Sequence, residues 1–168
     1  MLESAMGHVA VSHLYRVECV GRDGALKWAE ETPNIVVNEG LNDFLDKYYK
    51  GSGYTAAHYV GLKGTGTPAA ADTMASHASW SEVTPYSDAA RQALTMGTVS
   101  DQSVDNAAAK AVFNINATAT VYGAFVTTDS TKGGTSGTLV GAADFSASRN
   151  VESGDTLNIT ITATTASA

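Results

Sequence analysis

The sequence predicts a mainly β protein: an antiparallel β-sandwich or jelly-roll-like domain of about eight strands, with one short amphipathic α-helix at residues 39–50. Two segments support this prediction. In TLNITITA, residues 156–163, apolar side chains alternate with threonine and asparagine. The stretch 111–128 alternates in a similar way. A period of two residues is typical of a strand that buries one face and leaves the other in water.

Length and composition favour one compact body rich in small residues. The 168 residues include 27 Ala, 20 Thr and 15 Ser, and only 16% are charged, against roughly 25% in an average soluble domain. We expect residues 1–7 to form an N-terminal extension and residues 8–168 a single β-rich domain. The composition fits a chain whose exterior contacts other subunits, and it fits equally a β domain with an uncharged Ser/Thr surface.

The first predicted elements form a hairpin. Residues 9–20 read as a strand, residues 21–24 (GRDG) as a turn, and residues 25–31 as the returning strand. Pro33 lacks an amide hydrogen, so we expect the strand pairing to stop there. Cys19 lies among apolar neighbours in the first strand and is interpreted as a buried thiol, because buried cysteines usually behave as small hydrophobes.

A capped helix follows the short apolar run at residues 35–37. Asn38 is predicted to be its N-cap, Glu39 lies in its first turn, and Gly51 is predicted to end it. We expect an apolar stripe with helical spacing to pack inward against a sheet: Leu41, Phe44, Leu45 and Tyr48. We expect the charged side chains to face outward or to lie near the helix end: Asp43, Asp46, Lys47 and Lys50.

The rest of the chain is predicted to be strands and loops. A strand runs through Tyr59 to Leu62, and a weakly patterned loop at residues 64–81 is pinned by buried Met74 and Trp80. The remaining predicted segments are a strand at 90–99, a polar turn at 100–105, the long run at 111–128, a flexible tip at 127–138, and strands at 138–145 and 151–163.

Several short motifs imitate functional sites without their full pattern. Residues 61–67 (GLKGTGT) are glycine-rich but lack the spacing of a phosphate-binding loop. Asp72, Ser76 and His77 are the residue types of a nucleophilic triad but lack a nucleophile elbow. The four histidines are scattered, and Asp101 with Asp105 forms an incomplete cation loop. The sequence therefore predicts no catalytic residues, no metal site and no cofactor.

Charge restricts the classes of partner. A net charge of −7, with ten scattered basic residues, argues against nucleic-acid binding, which needs clustered Lys and Arg. The N-terminus lacks the pattern of a signal peptide, and no apolar run approaches the ~20 residues that span a bilayer, so we expect no membrane partner. One cysteine cannot form an intrachain disulfide.

Three segments, PNIVVNEGLNDFLD, YVGLKGTG and ADTMASHASWSE, resemble structural proteins of tailed-bacteriophage virions. The later stretches SVDNAAAKAVFNINATATVYGAFVTT and RNVESGDTLNITIT are similar to the same proteins, so the resemblance covers nearly all of the chain beyond Val20. It points in particular to head decoration, or cement, proteins. It implies a β-sandwich or jelly-roll fold, binding to the outside of the expanded capsid at symmetry axes, and no transferable catalytic residue.

Three hypotheses for function follow. The first is a capsid decoration protein, made in the host cytoplasm and placed on the outer surface of the virion, with the major capsid protein and further copies of itself as partners. The second is a tail or fibre module that binds a host-surface glycan through the loop at residues 64–81 and Trp80. The third is a small esterase or glycosidase, and we expect the chain not to be an enzyme.

Overall fold

The computed structural model describes residues 9–167 of the chain. The helix and strands in this range are β1 (Val9–Val20), β2 (Leu26–Pro33), β3 (Ile35–Val36), α1 (Asn38–Lys50), β4 (Tyr59–Lys63), β5 (Glu82–Val83), β6 (Gln92–Ala93), β7 (Ser103–Asp105), β8 (Ala111–Asn114), β9 (Ala119–Thr127), β10 (Leu139–Val151) and β11 (Thr156–Ser167). A single 3₁₀ turn, Ala107–Ala109, precedes β8 within the described residues. The predicted extension, residues 1–7, lies outside this range.

The strands form two antiparallel sheets, which confirms the predicted β-sandwich. The first sheet is five-stranded, in the order β2-β1-β11-β7 with β8 also beside β11. The second is six-stranded, in the order β3-β10-β9-β4-β5 with β6 also beside β4. The longest pairing joins β1 to β11 from Val9 opposite Ser167 to Val20 opposite Thr156, so the two ends of the described chain lie side by side.

The main core lies between the sheets, where the alternating apolar residues meet. Tyr15 and Val17 of β1, with Ile159 of β11, face Val121 and Val126 of β9 in one fully or almost fully buried cluster. A second cluster covers the opposite face of the second sheet and comprises Val37, Met74, Trp80, Phe125, Leu139 and Ala142. The second sheet is therefore buried on both faces, whereas the first has one face in water.

The segment predicted as one long strand at residues 111–128 is two strands in different sheets. β8 pairs with β11 in the first sheet, and β9 pairs with β10 and β4 in the second. Between them the backbone amide of Asn116 donates to the carbonyl oxygen of Pro85. The apolar–polar alternation continues through this crossover, although the second half of β9 is buried on both faces. The sequence prediction of a continuous strand was wrong.

Two further predictions need correction. Of the strand predicted at residues 90–99, only β6 forms, and the preceding Arg91 is a buried anchor between β5 and the loop that joins β9 to β10. Its guanidinium donates to both carboxylate oxygens of Glu82 and to the carbonyl oxygens of Asp129 and Gly134. These bonds also tie down part of the predicted flexible tip at 127–138. The polar turn predicted at residues 100–105 includes strand β7, and short strands of this kind raise the count from eight to eleven.

The helix begins one residue away from the predicted cap. Val37, with an extended backbone, occupies the N-cap position and makes no side-chain cap bond, so the prediction that Asn38 is the N-cap was wrong. Gly51 ends the helix in the left-handed conformation, at φ 67°, as predicted. No helix within residues 9–167 has the length and apolar character needed to cross a membrane.

Candidate binding surface

The apolar stripe of α1 is exposed and does not pack into the core, contrary to the sequence prediction. We call its five exposed apolar side chains the helix surface: Leu41, Phe44, Leu45, Tyr48 and Tyr49. Their exposed fractions range from 38% for Leu41 to 72% for Tyr48. The predicted outward residues Asp43, Asp46 and Lys47 are instead partly buried. The helix thus presents its apolar side to solvent and keeps part of its charged side against the protein.

Contacts of the first helical turn fix this orientation. The Glu39 carboxylate accepts hydrogen bonds from the backbone amides of Met74, at 3.1 Å, and Leu139, at 2.6 Å. Gly40 is buried against the backbone of Val140, where a Cβ atom would collide with the carbonyl group. Positions 44 and 47 follow position 40 by four and seven residues and share its side of the helix. Docking Gly40 inward therefore brings Phe44 and Lys47 to a cleft beside the sheets and turns Leu45 and Tyr49 away from it.

The aromatic side chains of the helix surface contact one another. The rings of Phe44 and Tyr48 stack with a centroid distance of 5.7 Å, and those of Tyr48 and Tyr49 meet edge to face at 5.0 Å. Taking roughly 200 Å² for a whole aromatic side chain, the two tyrosines alone expose roughly 300 Å². The largest apolar patch of an ordinary monomer has about this size and is often functional.

A cleft lies beside the helix surface, between α1 and the two sheets. Its volume is about 340 Å³. Its lining is mainly apolar, with two histidines and one pair of opposite charges: Val11, His13, Val36, Gly40, Leu41, Asp43, Phe44, Lys47, Tyr48, Tyr54, His58 and Val140. A second cavity of about 500 Å³ shares four of these residues and continues between the sheets toward Leu94, Met96 and Ile161.

The two histidines of the cleft are uncharged at neutral pH. The side-chain amide of Asn34 donates to Nδ1 of His13 at 3.0 Å when that nitrogen is unprotonated. Burial, with a smaller contribution from the neighbouring His58, lowers the pKa of His13 to about 4. Burial also lowers the pKa of His58, although the carboxylate of Asp43 opposes that change. The cleft therefore combines apolar walls with polar groups that carry no charge.

The residues of the triad-like motif serve a structural role. Nδ1 of His77 lies 3.0 Å from the carbonyl oxygen of Trp80, and its ring stacks on the indole at a centroid distance of 4.0 Å. The Asp72 carboxylate accepts hydrogen bonds from the indole N–H of Trp80 and from the amide of Ala69. The contacts of both His77 and Asp72 are thus with Trp80 and the loop backbone, and neither bonds to Ser76.

The glycine-rich motif holds a buried lysine. Lys63 is fully buried, and its ammonium donates to Asp144 Oδ1 at 2.5 Å and to the carbonyl oxygens of Gly64 and Gly66. Asp105, from the incomplete cation loop, accepts a bond from the amide of Ala107. Among residues 9–167, no group of three His, Cys, Asp or Glu side chains is placed to hold a metal ion.

Two predictions about single residues are confirmed. Cys19 is fully buried, and burial raises the pKa of its thiol to about 11, with the nearby Asp155 carboxylate adding to the increase. Met74 and Trp80 are also buried, so they pin the loop at residues 64–81 as expected. Trp80 is only 5% exposed. Its ring is therefore not available on the surface for the glycan contact that the second hypothesis assigned to it.

Sequence reasoning missed both features of the candidate site. The helical spacing identified the apolar stripe but not the side that it faces, since the orienting contacts come from residues 74, 139 and 140. His13 and His58 stand 45 positions apart in the sequence, and no local pattern indicates that they share a cleft. Comparison of the chain with protein-family models, curated proteins and solved structures gives no match.

Proposed function

We propose that this chain is a decoration protein of a tailed-phage head, which binds the outside of the expanded capsid and stabilises contacts between major capsid subunits. The observation that supports this proposal most is the helix surface. A small β-sandwich that exposes five apolar side chains on one helix leaves an area that a protein partner would cover with a gain in free energy. This is the surface of a component of an assembly.

Charge and composition support the same proposal. The chain carries a net charge of −7 and few charged residues, and a protein that faced packaged DNA would be repelled by its phosphates. The outer side of β11 is a half-buried row of threonine and asparagine, residues 156, 158, 160, 162 and 164. Side chains of this kind allow close contact with a neighbouring subunit at a low desolvation cost.

The proposed mechanism uses buried area rather than bond making. Each copy contacts neighbouring capsid subunits, and the many identical contacts of the shell act together. A site of this kind is complete only when the subunits have reached their final spacing. The chain therefore binds expanded heads and not compact precursors, and it stabilises only the state to which it binds.

Adding the purified chain back to heads that lack it tests the proposal. We expect saturable binding to expanded heads, at a copy number set by the capsid symmetry, and restored resistance to heat and chelation. Compact precursor heads serve as the control and should bind none. Absence of binding to heads, together with binding to tails or to host cells, would reject the proposal in favour of a host-recognition module.

A further inference from the structure

We propose that the histidine cavity binds an uncharged amphiphile, a molecule with a hydrocarbon chain and one hydroxyl group, and that His13 and His58 bind the hydroxyl group. The histidine cavity is the cleft beside α1 together with the adjoining space between the sheets, and both histidines line both parts. Binding of such a ligand does not depend on attachment of the chain to a phage head, so the two proposals can fail separately.

The two histidines continue the inner faces of the two sheets at one end of the core. Along β1, His13 lies on the same face as the buried Tyr15, because residues two apart in a strand share a face. His58 directly precedes β4, and its carbonyl oxygen accepts the backbone amide of Leu94, which extends the strand geometry to it. It therefore shares the face of the buried Val60. At this end, the packed apolar core gives way to a cavity bounded by two imidazoles.

The hydrogen bonds of Asn34 determine which nitrogen of His13 carries the proton. The backbone amide of His13 donates to Oδ1 of Asn34 at 3.2 Å. The other end of that side-chain amide is therefore its nitrogen, which donates to Nδ1 of His13 at 3.0 Å. With Nδ1 as an acceptor, the neutral ring carries its proton on Nε2. Within residues 9–167, Nε2 has no hydrogen-bond partner, so His13 offers a ligand one N–H donor.

The imidazole of His58 supplies the second polar contact. Its ring nitrogens make no hydrogen bond within the described part of the chain, and burial favours the uncharged form. A hydroxyl oxygen can accept the Nε2 proton of His13 and donate its own proton to the unprotonated nitrogen of His58. Asp43 and Lys47 of the cleft carry opposite charges, so the cavity has no net charge to compensate an ionised ligand. These groups favour a hydroxyl head over a charged one.

The space between the sheets suits the hydrocarbon chain of the ligand. Its volume is about 500 Å³ and that of the cleft about 340 Å³, and both are within the range of roughly 300 to 1,000 Å³ that is usual for small-ligand sites. Apolar side chains line it, among them Met96, Val126 and Ile161. Ala163 pairs with His13 across the two strands, and its short side chain leaves the space open. A hydrocarbon chain here is removed from water by both sheets.

Titration of the full-length chain with octanol at neutral pH tests the proposal. By NMR, we expect saturable shifts of the methyl signals of Val126 and Ile161 and of the ring signals of His13 and His58. Nuclear Overhauser contacts from octanol to the same methyl groups locate the ligand without any variant. Octanoate has the same chain length but a charged head, and should bind at least about tenfold more weakly. Absence of saturable shifts, or octanoate that binds as tightly as octanol, would overturn the proposal.

Three variants test the two parts of the cavity. Ala163→Leu fills the space between the sheets and should weaken octanol binding at least about tenfold. Ala10→Leu is the matched control, because it adds the same atoms on the exposed outer side of β1, and it should bind as the wild type does. His58→Phe keeps an aromatic ring but loses the polar contact, and should weaken binding about fivefold. Unchanged affinity in Ala163→Leu would reject the site, and unchanged affinity in His58→Phe would reject the role of the histidine.

Discussion

At the scale of single residues, His13 links the stability of the fold to pH. Its imidazole is partly buried beside His58, and its Nδ1 accepts a hydrogen bond from Asn34. Burial lowers the pKa of the folded state from 6.5 to about 4. The fold therefore binds the proton less tightly than the unfolded chain does. The stability that the fold gains by holding His13 uncharged is complete above pH 6.5 and is lost as pH falls through the folded-state pKa.

We expect His13→Asn to reduce this pH dependence. Asparagine retains an acceptor for Asn34 but does not take up a proton in this range. Between pH 6.5 and pH 4, the wild-type chain should lose up to about 3 kcal/mol of unfolding free energy that the variant retains. Urea denaturation of both proteins across this range measures the difference. If stability changed with pH equally in the two proteins, His13 would not be the cause of the pH dependence.

Arg91 is a second residue at which a specific loss is expected. Its side chain is fully buried, and that of its partner Glu82 is only 6% exposed. Arg91→Ala leaves this carboxylate uncompensated and should lower the unfolding free energy by about 3 to 5 kcal/mol. The double variant Arg91→Ala/Glu82→Gln should recover part of the loss, because the unpaired charge is gone. A double-mutant cycle in urea measures both effects, and a loss below about 1 kcal/mol for Arg91→Ala would refute the buried pair.

At the scale of elements, the helix shows what local sequence can predict. Its end at Gly51 and its apolar stripe follow from residues within the helix. Its orientation does not, because Gly40 docks on Val140 and Glu39 bonds to Leu139, about one hundred positions along the chain. Hydrophobic spacing predicts that a stripe will be covered. It does not indicate whether the cover is the same chain or another one.

The position of Leu45 changes the expected effect of its replacement. An inward stripe would make Leu45→Ala cost about 2 to 4 kcal/mol, but the side chain is 52% exposed. We expect less than about 1 kcal/mol, measured by urea denaturation at a concentration where the chain is monomeric. Leu139→Ala is the buried counterpart, at 0% exposure, and should cost about 2 to 5 kcal/mol. Equal losses would show that α1 packs inward in solution.

Some strands can also be predicted from local sequence, whereas others depend on contacts with distant residues. The alternation in β1 and β11 predicted both strands well, because each buries one face continuously. The crossover after β8 carries no glycine or proline, so nothing local marks the change of sheet. Strands β5, β6 and β7 have two or three residues. A strand of two or three residues is too short to show a two-residue alternation. Each of these strands pairs with a strand that is distant in the sequence.

At the scale of the whole molecule, two features of this sandwich support the proposed function. Its second sheet is covered on one face by the first sheet and on the other by the segments that carry Val37, Met74 and Trp80, and its helix exposes an apolar surface that residues 9–167 do not cover. The proposed function assigns the second feature to contact with a capsid subunit. The proposed function would also account for a composition poor in charge, since a subunit within an assembly needs fewer charged residues for solubility.

A reconstruction of the virion tests the central claim most directly. If the chain is a decoration protein, density matching the two-sheet sandwich will lie on the outer surface of the head at symmetry-related positions. The helix surface of each copy will be covered by a neighbouring subunit. Density confined to the tail, or heads without the chain, would contradict the claim. So would copies on the head whose helix surface faces only solvent.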